Sequence, residues 1–247
     1  PRETDRSSAP AHKLSNRDRT CEYGFELVFD FVPEAPSIVR SASRCRRSID
    51  FKREAAARRI HVGAEDIHAT GRKHARNLAV EALLVARARH DAEVLAVDIN
   101  PRALRLSAVN AELAETPNVS VYHSDVLDSV DGCFDLILAN PPYMKDGQQR
   151  AYRHGGGELG EALSLRILRE ALPRLARDGT LLLYTGVAMV DGRDVFLEAA
   201  RAVLTGDAFG WTYRELDPDV FGEELEKPGY ERVERIAAVA LTVTRLS

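Results

Sequence analysis

From residue 78 to the end, the chain alternates helix-forming and strand-forming segments, and no other feature constrains the fold as much. Glu93-Val-Leu-Ala-Val-Asp98 is a short and nearly continuous apolar run. That is the pattern of a parallel strand covered on both faces. Asn100 can then cap a helix whose first position is Pro101, where the missing N–H costs nothing. Leu104, Val109 and Leu113 are expected on the buried side of that helix, which should end near Pro117. Further strands are expected over 119–122, 134–139, 180–184, 211–216 and 236–244, and further helices over 78–90, 163–176 and 194–204. Such alternation predicts an α/β fold, a doubly wound and mostly parallel sheet with helices on both faces.

Upstream of residue 78 the pattern is weaker. Residues 25–32 read as a strand and 60–62 as a weak one. We divide the chain into an N-terminal extension or partial substrate-recognition region, 1–58, and an α/β domain, 59–247. Composition is that of an ordinary globular chain, 45% hydrophobic and 29% charged over 247 residues. It excludes a disordered or collagen-like chain. No apolar run reaches the length of a membrane span. The cysteines Cys21, Cys45 and Cys133 are scattered and form no CxxC pair, which argues against a disulfide scaffold and for a reducing, cytoplasmic setting. Cys133, at a strand start, reads as buried packing. His61, His68 and His74 recur at irregular spacing, so no metal is expected. Residues 1–90 carry 18 Lys and Arg against 12 Asp and Glu. Aromatic residues do not interleave with these charges, so a solvated basic surface is favoured over a nucleic-acid-binding arm.

In an open α/β sheet, ligands bind beyond the carboxyl ends of the strands. Asp98 ends one strand, Asp125 follows the next, and Asn140-Pro-Pro-Tyr143 follows a third. A lone Asp at a strand end is common. The Asn-Pro-Pro-Tyr turn is far more specific. Each proline fixes its own φ and restricts the residue before it, giving a stiff loop. That loop can present the Asn140 side chain and the Pro141 carbonyl as fixed acceptors, with the Tyr143 ring flat against a planar group. The nitrogen of a planar NH2 is a poor nucleophile because its lone pair is conjugated. Two acceptors gripping its hydrogens favour a pyramidal nitrogen whose lone pair points outward, a catalysis by orientation that needs no metal.

Asp98, Ser124-Asp125, Ala139-Asn-Pro-Pro-Tyr143 and the late strands resemble the class I S-adenosylmethionine-dependent N-methyltransferases. The nearest likeness is to the HemK-like branch, the glutamine-N5 methyltransferases of release factors, and to its methyltransferase-small relatives. Gly156-Gly-Glu-Leu-Gly160 leading into Leu165-Arg166-Ile167 resembles that branch as well. The resemblance implies a Rossmann-like, mostly parallel seven-stranded sheet whose last strand, 236–244, runs antiparallel between its neighbours. It implies S-adenosylmethionine as cofactor, with Asp98 at the ribose, Asp125 and Val126 at the adenine, and Ile99 also among the cofactor-binding residues. Asn140, Pro141 and Tyr143 would hold the accepting amine, with Asn140 also near the cofactor. The implied partner is a protein glutamine or a nucleobase bearing the NH2 group.

One departure stands against this. Such enzymes carry a glycine-rich loop after the first strand, where backbone approaches the methionine part of the cofactor. Counting back places it near 72–79, which reads Arg72-Lys-His-Ala-Arg-Asn-Leu-Ala79 without a glycine. The alternative function is therefore a catalytically impaired, methyltransferase-like binding module. An out-of-frame stretch within 37–77 and an unusual but competent loop also account for the departure. A nicotinamide-dependent dehydrogenase is a third function, but it too needs a glycine loop and leaves Asn140-Pro-Pro-Tyr143 unexplained. His154, in a glycine-flanked loop, reads as exposed, and 223–226, with three glutamates, as a solvated face.

Overall fold

A computed structural model describes residues 58–63 (backbone), 79–148 and 153–246. The expected strand over 25–32, the N-terminal region and the stretch 72–78 lie outside the described residues. The elements in chain order are β1 (Arg58–Gly63), α1 (Val80–Ala88), β2 (Ala92–Asp98), α2 (Pro101–Leu113), β3 (Val119–His123) and β4 (Phe134–Ala139). There follow α3 (Ala162–Ala171), β5 (Leu175–Val190), β6 (Arg193–Asp194), α4 (Val195–Val203), β7 (Phe209–Asp217) and β8 (Val233–Arg245).

The strands form one mixed sheet in the order β3-β2-β1-β4-β5-β8-β7, with β6 attached to the end of β5. β1 to β5 run parallel, whereas β8 is antiparallel to both β5 and β7. The eighth strand, absent from the seven expected, is the two-residue β6, made where β5 turns back at Asp191-Gly192. The weak run 60–62 belongs to β1, at the centre of the sheet between β2 and β4. β8 lies between β5 and β7, as the resemblance implied.

Alternation along β2 sets the two layers. Leu95 and Val97 face a core shared with Leu165, Leu168 and Ala171 of α3 and with Phe196 and Ala200 of α4. Val94 and Ala96 face the opposite side, against Ala82, Val85 and Ala86 of α1. A strand buried on both faces has no use for polar alternation, which is why β2 reads as a continuous apolar run.

Local chemistry explains the ends of the helices. The Asn100 side chain accepts from Arg102 N at 2.9 Å, with Pro101 in the first turn, and Asp194 accepts from Leu197 N at 2.8 Å to cap α4. The Asn118 amide donates to the carbonyls of Ala86, Arg89 and Ala92 at 3.3, 3.1 and 3.0 Å, tying the end of α1 to the start of β2.

Two expectations need correction here. The buried face of α2 is Ala103, Ser107 and Ala111, while Val109 and Leu113 are 50% and 78% exposed. Small residues four apart let the helix approach the sheet closely, so the larger side chains turn outward. The helix expected over 163–176 ends at Ala171, and Leu172-Pro-Arg174 forms a 3-10 turn before β5 begins. Proline closes the helix there, since it has no N–H to continue the ladder.

Candidate functional site

Strand register brings the singled-out strand ends to one edge of the sheet. Gly63 of β1 is level with Val97 of β2 and Ala139 of β4, and Ala139 with Leu183 of β5. Asp98 and Asn140 therefore each lie one residue beyond that line, two strands apart. Two inter-strand spacings make this a span of roughly 10 Å. The chain leaves β1 at Gly63 between them, and the segment that follows lies outside the described residues.

Asp98 is buried, and its Oδ1 accepts from Asn100 N at 2.7 Å. Ile99 stands out from the edge, 53% exposed. At the end of β3, Ser124 is buried, its N–H donates to Asp98 O at 3.2 Å, and its Oγ accepts from Ser129 N at 3.1 Å. The backbones after β2 and β3 are thereby fixed to one another. Val126 adopts φ +52°, left-handed for a β-branched residue. Asp125 is half exposed, and its Oδ1 accepts from Arg166 Nη1 of α3 at 2.8 Å.

The turn after β4 is built into its surroundings on three sides. Pro141 is buried; Asn140 and Tyr143 are half-buried. The Tyr143 ring lies against Gly186 of β5, where an added Cβ would come within 2.2 Å of Tyr143 Cδ2. Phe221 packs beside the same ring, with centroids 6.1 Å apart and planes tilted by 49°. Tyr184 shares a hydrogen bond with Tyr143; burial pushes the Tyr184 phenol up, the nearby Asp217 adds to this, and the Tyr143 bond opposes it. Beyond the ring, Met144 N–H donates to Arg153 O at 3.0 Å, and Gly155 N–H donates to Met144 O at 2.9 Å. Lys145 N–H donates to the Tyr230 hydroxyl at 2.7 Å.

The glycines after the turn serve this packing. A Cβ on Gly155 would lie 2.0 Å from Gly160 O and 2.6 Å from Pro142 O. Gly160, at φ +97°, leaves room for the Tyr143 carbonyl, which a Cβ would meet at 2.1 Å. The glycine-rich stretch thus approaches the Asn-Pro-Pro-Tyr turn backbone to backbone, and α3 follows directly.

Three other expectations change. His154 is half-buried, and its Nδ1 accepts from Asp146 N at 3.2 Å, so it braces the turn. Glu224 is only 4% exposed and pairs with Arg153 and Lys227. It belongs to the segment Gly222–Glu226, whose Leu225 packs against the cluster of Met144 and Tyr230, which draws one glutamate of the acidic run inward. Cys133 is exposed in the turn before β4, because Phe134 takes the buried position.

Sequence reading missed Tyr184, Gly186 and Arg166 as parts of this site. A signal existed for Gly186, since a lone glycine inside the apolar run Leu181–Met189 marks a close approach. For Arg166 none existed, because its partner Asp125 is 41 residues away.

The methyltransferase small domain family matches residues 79–190. That stretch holds both aspartates, the Asn-Pro-Pro-Tyr turn and the floor beneath Tyr143. Residues 79–190 resemble a methyltransferase small domain. The chain is a distant homologue of the HemK-type glutamine methyltransferases. It is 44% identical over 63 residues to the release factor glutamine methyltransferase of Lactococcus lactis, covering 26% of this chain and 23% of that one. It is 31% identical over 144 residues to the release factor glutamine methyltransferase of Deinococcus radiodurans, covering 57% and 44%. With the ribosomal protein uL3 glutamine methyltransferase of Neisseria gonorrhoeae it shares 30% over 161 residues, covering 58% and 52%. The chain spans about half or less of the length of these relatives. Among solved structures it is similar to StiE O-MT residues 942–1257, with a TM-score of 0.53, 12% identity and coverage of 93% of this chain and 76% of that one. It is also similar to the [4+2]-cyclase SpnF, with a TM-score of 0.50, 15% identity and coverage of 76% and 74%. These likenesses establish the fold alone, and a cyclase among them illustrates that the fold does not choose the chemistry.

Proposed function

We propose that this domain transfers a methyl group from S-adenosylmethionine to a planar NH2, on a protein glutamine or a nucleobase amine. The observation that carries the reading is the Asn140-Pro-Pro-Tyr143 turn, braced against β5, the glycine stretch and the β7–β8 connection at the carboxyl edge of the sheet. The matches to release factor and uL3 glutamine methyltransferases favour a protein glutamine. The described residues fit the cofactor. Asp98 offers a buried carboxylate beside a backbone locked by Asn100 and Ser124. Asp125 and Val126 follow on the neighbouring strand.

When bound, the cofactor supplies an electrophilic sulfonium methyl. The protein's own part is orientation. Asn140 Oδ1 and the Pro141 carbonyl accept from the two N–H bonds of the acceptor and weaken the conjugation of its lone pair. Tyr143, held by Gly186 and Phe221, fixes the plane of the acceptor group. Such alignment, with preorganised acceptors, carries the catalysis; as the methyl leaves the sulfonium with its bonding pair left on sulfur, the methylated nitrogen releases one hydrogen as a proton to solvent.

The test is transfer of labelled methyl from S-adenosylmethionine to a glutamine-bearing release factor or ribosomal protein, with RNA and DNA as parallel acceptors. Asn140→Ala should lower the rate by on the order of 10²–10³-fold while leaving cofactor affinity within about threefold. Equal rates in both proteins would defeat the reading. The second reading, a binding module without turnover, is favoured by one observation: residues 64–79, which link β1 to α1 in sequence, hold one glycine, Gly71, and no glycine-rich pattern. It expects no methyl transfer to any acceptor.

A further inference from the structure

Arg166 joins the two halves of the site. Its Nη1 donates to Asp125 Oδ1 at 2.8 Å, its Nη2 to Asp128 Oδ2 at 3.1 Å and its Nε to Glu170 Oε1 at 2.6 Å. All three nitrogens of the guanidinium thus end on carboxylates. Asp125 and Asp128 come from the connection after β3, Glu170 from the next turn of α3. The Asp125 and Glu170 bonds raise the Arg166 guanidinium above its ordinary range, so the charge is permanent at any working pH. The same helix is anchored on the acceptor turn. Leu163 N–H donates to Gly155 O at 2.8 Å, and Gly155 N–H to Met144 O at 2.9 Å. One turn of α3 therefore separates the contact with the Asn-Pro-Pro-Tyr turn from the contact with Asp125.

Stability is a poor explanation for this cluster. The side chains of Arg166, Asp125 and Asp128 are 37%, 48% and 60% exposed, and ion pairs that open to water contribute little. Three carboxylates around one cation also repel each other. What the cluster does fix is direction. Asp128 and Glu170 hold the guanidinium in place, its one bond to Asp125 ends on Oδ1, and the oxygen left to accept is Oδ2.

We propose that Arg166 is a positioning residue that aims Asp125 Oδ2 at the exocyclic amine of the bound nucleoside, so that the site selects a 6-amino purine over a 6-oxo purine. This rests on the cofactor reading given above, and it assigns that reading's base selectivity to a residue on α3. Asp125 touches the base; Arg166 acts through it.

The experiment is calorimetric titration of the full chain with S-adenosylhomocysteine and with its 6-oxo analogue, S-inosylhomocysteine. The wild type should prefer the amino form by about tenfold or more, the scale of one hydrogen bond to a charged acceptor. In Arg166→Met the preference should fall below about threefold, with the loss confined to the amino form. Arg166→Lys keeps the charge but not the fork, so it should lose the preference too. Thermal melting identifies which variants are folded, and the Lys variant carries the test should the Met variant fail to fold. Unchanged preference in a folded Arg166→Met or Arg166→Lys overturns the proposal. Equal wild-type binding of the two ligands also overturns it while sparing the cofactor reading. A wild type that binds neither ligand refutes the cofactor reading and the selectivity with it.

Discussion

Replacing Gly186 by alanine tests whether the floor under Tyr143 is as tight as its geometry requires. A Cβ there would lie 2.2 and 2.3 Å from Cδ2 and Cε2 of the ring, whereas ordinary contact begins near 3.4 Å. The ring must retreat by roughly 1.2 Å. It cannot do so freely, because Phe221 packs beside it and Tyr184 holds it by a hydrogen bond. Forcing an extra methyl into such packing costs about 1–3 kcal/mol. Alanine also restricts the unfolded chain, which returns about 0.4–1 kcal/mol, so a net loss of about 1–2 kcal/mol is expected. Gly210→Ala is the control on the same sheet, since its nearest contact is the flexible Leu246 side chain at 3.5 Å. With no clash to offset the unfolded-chain effect, it should leave stability unchanged or raise it by up to about 1 kcal/mol. Urea denaturation followed by the fluorescence of Trp211 reads both variants. Methyl transfer should fall further than stability does, on the order of 10²-fold, because misplacing an aligned group by about 1 Å is that costly. If Gly186→Ala is as stable as Gly210→Ala, the close contact between Gly186 and Tyr143 does not exist and the reasoning fails.

Other expectations follow from single residues. Asn118→Ala leaves the carbonyls of Ala86, Arg89 and Ala92 without a shared donor and should cost about 1–3 kcal/mol in urea denaturation. Asp194→Ala removes the cap of α4 and the carboxylate that accepts from the Tyr213 hydroxyl; a loss of about 1–2 kcal/mol is expected. Burial pushes the Glu224 carboxyl up, but bonds from Arg153 and Lys227 outweigh it and hold the group below its ordinary 4.5. A depressed folded-state value means stability that is fully present above the unfolded value and lost as pH falls through the folded one. Wild-type urea midpoints should therefore drop more steeply below pH 4.5 than those of Glu224→Gln; parallel curves would contradict the pairing.

The legible parts of the fold are those set by local chemistry. The β2 run, the Asn100-Pro101 helix start and the stiff Asn-Pro-Pro-Tyr turn each carry their cause within a few residues. β1 was faint because Ile60 and Val62 are flanked by Arg58, Arg59 and His61, and its place at the centre of the sheet comes from neighbours far along the chain. The buried face of α2 was misread because its contact is made by small residues, where periodicity of large ones is no guide. At the site, Asp98, Asp125 and the acceptor turn could be singled out from strand ends alone. The partners that fix them could not. Arg166 meets Asp125 across 41 residues and Tyr230 meets Lys145 across 85, distances over which a sequence pattern has no periodicity to show. Glu224 looked solvated because the residues beside it are acidic; Lys227 is near in sequence, but Arg153, the other cation that pairs with it, comes from far along the chain.

Calorimetric titration of the purified chain with S-adenosylmethionine and S-adenosylhomocysteine, with Asp98→Ala as control, tests the central claim most directly. The edge formed by Asp98, Asp125 and the Asn140 turn predicts micromolar binding of both ligands and its loss in a folded Asp98→Ala. A folded wild-type chain that takes up neither ligand would contradict it, and the domain would then be a methyltransferase fold without a working cofactor site.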